Sequence, residues 1–219
     1  MKKVFSISFV MYTALFAHAF DTSYKHYASL LKTFVCNKGV AYSDLKEDQQ
    51  RIDTVKKKFA SLTRKQFESM SVDEQIAYYI NLYNFYTMVL IVDHYPLETG
   101  IRDIRRPWAQ KIVPLFGKKV SLDHIEHQIV RKKYDEPRIH FALVCASKGC
   151  PALIDTPFTG EKLDRQLDKA AQWFLTDTTR NRIEGTTVFL SQIFEWYGGD
   201  FKKQYGGYKA YVKRTLELN

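Results

Sequence analysis

The sequence predicts an α+β domain, a mostly helical body packed around a small mixed or antiparallel sheet. Two observations carry that expectation. Helical spacing of apolar residues recurs through most of the chain, while strand-like stretches are few and short. The longest pattern, "SVDEQIAYYINLYNFYTMVLIVDHYP", is apolar on nearly every side, so its helix should be buried at the centre of the body. So few strands exclude a doubly wound parallel sheet.

Each element has its own signal. Tyr24, Tyr27, Leu30, Leu31 and Phe34 recur at helical spacing, and Gly39 ends that segment. Residues 47–68 read as one polar helix with a thin stripe of Ile52, Val55, Phe59 and Leu62. Ser71 and Glu74 have the spacing of a capping box at the start of the central helix, and Pro96 marks its end. "KIVPLFGKKVS" reads as a short hairpin turning near Gly117. Ser121 caps a helix with Leu122, Ile125 and Ile129 on one face. Residues 138–145 read as a buried strand because the run from Phe141 is apolar or small. A helix over 161–175, a strand over 188–190 and a short helix over 208–216 complete the chain.

The N-terminus predicts where the protein works. Lys2 and Lys3 precede an apolar run ending at Ala17-His18-Ala19, a small-x-small site, so residues 1–19 have the layout of a secretory signal peptide. The run spans only about 20 Å as a helix, short of a bilayer core, so no stable membrane anchor is expected after cleavage. Residues 20–219 then form a single globular domain, periplasmic or secreted. The net charge of +9 is dispersed along the chain. With export, that argues against nucleic acid as a partner and leaves an anionic envelope polymer or a protein partner.

Four blocks carry a family resemblance. "YYINLYNFYTMVLIVDHYP" resembles a WINxYN helix, and "SLDHIEHQIVR" an IEHxxxR segment. "RIHFALVCASKGCPAL" is similar to RxHFALxCxSxxCPxL, and "LSQIFEWYGGDF" to LSxIFxWYxxDF. In this order they resemble the domain-of-unknown-function 547 family. Tyr79 stands where the family more often has Trp, and Cys36 lies outside its pattern. The resemblance implies a fold and motif positions but no reaction.

The chemistry-bearing residues leave several readings open. The chain has three cysteines. Cys145 and Cys150 form a disulfide candidate, since an oxidising compartment favours it and Gly149 and Pro151 favour the turn, which would leave Cys36 free. Alternatively Cys145 is a nucleophile of a hydrolase or transferase, with His140 or His127 moving the proton and Glu74 or Asn81 orienting that histidine. Strand parity would place His140 and Cys145 on opposite faces. A buried inert thiol and thiol redox chemistry are further readings. His124 and His127 are weak metal candidates, since H-x-x-H alone says little. Asn81 and Asn84 inside an apolar helix need partners, because unpaired burial costs about 1–3 kcal/mol each. Their bland role is to tie the helix to loop backbone, as Glu74's is to close its cap. Trp196 and Tyr197 read as core packing or as a stacking surface for a sugar or peptide. No GxGxxG, P-loop or GxSxG pattern occurs, and no cofactor is expected.

Overall fold

The computed structural model describes residues 19–36, 39–147 and 149–217. The predicted leader, up to residue 18, lies outside the described residues. The architecture is α+β with a helical body, and the strands form three separate two-stranded antiparallel ribbons.

In chain order, helix α1 (Lys25–Phe34) leads into the ribbon of β1 (Val35–Cys36) and β2 (Gly39–Val40). Helix α2 (Tyr42–Glu47) ends where one helix over 47–68 was expected to begin, and that stretch holds two, α3 (Gln49–Ala60) and α4 (Arg64–Glu68). Local side-chain chemistry makes the breaks. Asp48 accepts from the Arg51 backbone N–H to start α3, and Thr63 and Gln66 close a capping box that starts α4.

Helix α5 (Val72–His94) is the centre of the fold, and its capping box is as expected. The Ser71 N–H donates to Glu74 Oε2 at 2.8 Å, and the Glu74 N–H donates to Ser71 Oγ at 3.2 Å. From Gln75 to Val92 every residue is buried. Tyr27 and Phe59 reach Phe85 from α1 and α3, and Phe67 of α4 packs on Tyr78 and Tyr79. Each large apolar side chain buried this way contributes about 1.5–3 kcal/mol.

The ribbon of β3 (Val113–Leu115) and β4 (Lys118–Val120) turns through Phe116 and Gly117, both at positive φ, as a two-residue hairpin demands. A π-helical segment, His124–Val130, runs into α6 (Arg131–Lys133). Residues 138–145 are not a strand: Pro137–Phe141 is a 3-10 helix, followed by irregular chain. A short apolar run reads alike for a buried strand and a buried helical turn. Pro137 starts the turn, and the Glu136 carboxylate accepts from the Arg138 N–H. Beyond it, Asn84 of α5 supplies what a neighbouring strand would have. Its Nδ2 donates to Ala142 O at 2.9 Å, and its Oδ1 accepts from Val144 N at 2.8 Å.

Helix α7 (Leu163–Thr176) crosses behind this segment. The ribbon of β5 (Arg182–Glu184) and β6 (Thr187–Phe189), then α8 (Ile193–Tyr197), a 3-10 turn Gly198–Phe201, α9 (Lys202–Tyr205) and α10 (Tyr208–Thr215) complete the chain. Two apolar clusters result. One surrounds α5; the other joins Phe141 to Phe174, Phe194, Phe201 and Tyr211. Among the described residues no helix is long and apolar enough to cross a membrane.

Candidate functional site

A pocket of about 220 Å³ opens at the seam between the two clusters. Three segments meet there: the π-helical stretch, the 3-10 turn with its trailing loop, and α8. A 3-10 helix turns about 120° per residue, so three successive side chains point three ways. Ile139 enters the α5 cluster, Phe141 enters the second cluster, and His140 faces the pocket between them. Arg138 anchors the turn, bonding Glu136 beside it and Asp168 of α7, each at 2.6 Å.

His140 is 2% exposed, and its Nε2 lies 2.8 Å from Asp200 Oδ2. A carboxylate only accepts, so Nε2 carries the proton and Nδ1 is the nitrogen left over. The ring stacks on Tyr197 at 4.0 Å and 9°. Arg131 grips the same carboxylate twice, from Nε at 2.7 Å and Nη2 at 2.9 Å. Burial alone would raise Asp200, but the hydrogen bonds from His140 and Arg131, with the Arg131 charge, hold it well below the usual carboxylate range. Burial lowers His140, outweighing the Asp200 bond, so its ring is kept neutral.

The third nitrogen of Arg131, Nη1, lies 3.2 Å from His127 Nδ1. Arginine can only donate, so Nδ1 accepts and His127 keeps its proton on Nε2. His127, Asp123 and the buried Glu126 all line the pocket. Burial raises Asp123, and the Glu126 charge adds to it, against His127 and Arg106. Tyr83 and Tyr197 are pushed up by burial and by their interaction with Glu126, so both phenols stay protonated as donors to that carboxylate. Trp108 and Trp196 complete the wall, with Arg102 exposed at the rim.

The loop after the 3-10 turn closes one side. Cys145 and Cys150 form a disulfide with Cα atoms 5.9 Å apart, and Cys36 is free and exposed. Ala146 takes a left-handed backbone, φ 58°, and Cys150 N donates to Ser147 O at 3.0 Å, which curls the loop. The Ser147 hydroxyl lies 3.2 Å from the Cys145 sulfur, and Trp108 Nε1 donates to Cys145 O at 3.2 Å. In this state Cys145 is not a free nucleophile. The expectation that strand parity separates His140 from Cys145 also fails, because the segment is no strand and both residues line the pocket.

Other sequence-predicted residues lie elsewhere. Glu74 caps α5 outside the pocket. Asn81 ties α5 to loop backbone: its Nδ2 donates to Phe158 O at 2.7 Å, and its Oδ1 accepts from Phe158 N at 2.9 Å. His124 is exposed while His127 lines the pocket, because a π-helical turn is wider than an α turn and parts residues three apart. Among the described residues no group of three or more His, Cys, Asp or Glu could hold a metal ion. Sequence reasoning missed Asp200, Asp123 and Tyr83 as site members. For Asp200 there was a signal: an acid embedded in "IFEWYGGDF" needs a partner if it packs with its neighbours.

No curated protein and no solved structure matches the chain. Residues 67–175 match the model of the family described as a protein of unknown function, DUF547. That span holds α5, the π-helical segment and the disulfide loop, three of the four blocks that resembled the family, and the match supports the DUF547 family for this chain.

Proposed function

We propose that the chain is an exported binding domain, periplasmic or secreted, whose ligand enters the pocket beside residues 145–151. The pocket itself carries this reading: the buried Glu126 carboxylate stands at the seam of the two clusters, with Trp108, Trp196 and Tyr197 around it. A carboxylate only accepts hydrogen bonds, so the ligand is a small one bearing amine or hydroxyl donors. Aromatic walls favour a ring or an ammonium group beside those donors. The leader-like N-terminus and the Cys145–Cys150 disulfide support export, since disulfides persist in oxidising compartments. Without Lys2 and Lys3 the exported domain keeps 31 basic against 24 acidic residues, a net charge of +7 that suits an anionic envelope polymer as the surface on which it works.

The test is a titration of protein purified from the periplasm or medium, where the chain is expected to begin at Phe20. Amino sugars and short alkyl amines are added while tryptophan emission is followed. Trp108 and Trp196 line the pocket, and the exposed Trp173 does not, so a bound ligand moves part of the emission. Glu126→Gln should weaken that binding about tenfold or more, the worth of a hydrogen bond to a charged group. Unchanged emission with both ligand classes, or equal affinity in the variant, overturns the reading.

A further inference from the structure

The pocket holds a second arrangement that binding does not use. Cys145, Cys150 and His140 all line it, and Asp200 fixes the His140 ring from behind. With Nε2 committed to Asp200, Nδ1 is the basic nitrogen of that ring. Ser147 places a hydroxyl 3.2 Å from the Cys145 sulfur, where it would donate to a thiolate. We propose that the disulfide covers a latent acyl-transfer site, and that reduction by a dithiol frees Cys145 as a nucleophile served by the His140–Asp200 pair. The proposal shares the pocket with the binding reading but does not depend on that reading's ligand.

The unmasking step balances with a dithiol as reductant. Cys145 is half-buried and Cys150 buried, so Cys145 presents the more accessible sulfur. A dithiol thiolate attacks Cys145 Sγ, the Cys145–Cys150 bond breaks, and Cys150 leaves as a thiolate. The second dithiol sulfur attacks the first, releasing Cys145; the dithiol becomes a disulfide, and its two protons pass to the two cysteines. In the acyl-transfer step, the Cys145 thiol gives its proton to His140 Nδ1 and attacks the carbonyl carbon of an ester. The ester C–O bond breaks, the departing oxygen takes the proton from His140, and a thioester remains. Water, losing a proton to His140, then attacks the thioester carbonyl; the C–S bond breaks, the Cys145 sulfur takes that proton back from His140, and the acid leaves.

The experiment uses the exposed thiol of Cys36 as an internal reference. Wild-type protein is reduced with dithiothreitol, freed of it, and labelled with iodoacetamide across pH 5 to 9, with each site followed by peptide mass spectrometry. At about pH 6, Cys145 should label roughly tenfold faster than Cys36; a larger thiolate fraction outweighs the lower nucleophilicity of a low-pKa thiol. A Cys150→Ser variant should show the same labelling without reductant. It should also release p-nitrophenol from p-nitrophenyl acetate, whereas Cys145→Ser should not. His140→Asn should bring the Cys145 profile back to that of Cys36. If reduced wild-type Cys145 follows the Cys36 profile, the proposal falls, whether or not the variants fold. If His140→Asn folds with the acidic labelling intact, the assigned base is wrong and the proposal falls too. The binding reading is decided separately by the emission titration of oxidised protein.

Discussion

At the scale of single residues, Asp200 decides most of the electrostatics. It collects three charged or polar donors, two from Arg131 and one from His140, and it lies between them behind the pocket-lining His140 ring. The groups facing His140 are Asp200, Arg131, Glu126 and the Tyr197 ring. Burial dominates, so the folded-state value for His140 lies below that of an unfolded histidine, about 6.5. A group depressed in this way binds more protons unfolded than folded as the pH falls. Its contribution to stability is complete above about pH 6.5 and is lost on going down toward its folded value. Asp200, also depressed, loses its contribution only further down, below the ordinary carboxylate range of about 3.9. The urea midpoint should therefore fall between pH 7 and pH 5, and His140→Asn should flatten that slope and weaken, without removing, the acid limb below pH 4, since Arg131 still holds Asp200 down. Midpoints measured by far-UV circular dichroism at half-unit pH steps check this, and an unflattened slope in the variant would place the titrating group elsewhere.

At the scale of elements, legibility followed the strength of the local signal. The central helix, its capping box, the hairpin at Gly117 and the helix behind residues 161–175 were readable because each rests on its own side chains. The breaks within 47–68 were not, although Thr63 and Gln66 have capping-box spacing; a continuous apolar stripe masked them. The turn at Pro137–Phe141 was unreadable for a deeper reason. The chain just after it is held by the side chain of Asn84, 58 positions earlier than Ala142, and no local pattern announces that. The π-helical geometry that parts His124 from His127 was likewise invisible, and with it the pocket membership of Asp123 and Glu126. One element contact gives a direct test. Gly160 lies against the first turn of α5, where an added Cβ would sit 2.4 Å from Glu74 Cγ and 2.9 Å from Glu74 N. Backbone cannot give way as a side chain can, so Gly160→Ala must lift the segment before α7 off the start of α5. We expect a loss of about 1–3 kcal/mol, read from urea unfolding, as for other overpacked sites. The neighbouring tie between Asn81 and Phe158 would strain with it.

At the scale of the molecule, the stretch matching the family model and the folding unit are different things. The match covers residues 67–175, yet α5 is buried on sides that this stretch does not cover. Tyr24, Tyr27 and Phe59, all before residue 67, pack around Tyr78 and Phe85. Beyond residue 175, Phe194, Phe201 and Tyr211 cover Phe141, Trp196 and Tyr197 line the pocket, and Asp200 holds His140 from behind it. Helix α7 contributes Leu163 and Leu167 to one cluster and Ala171 and Phe174 to the other, so it couples the two. A chain cut to 67–175 would expose both faces of that coupling at once, and the lost apolar burial, at roughly 25 cal/mol per Å², exceeds the marginal stability of a domain. The cut chain should therefore lack a cooperative thermal transition and show poorly dispersed amide proton resonances. Residues 20–219 should unfold in one transition, with equal calorimetric and van't Hoff enthalpies. A cooperative melt of the 67–175 piece would show instead that α5 can be buried by its own segment, and that the flanking helices serve the pocket alone.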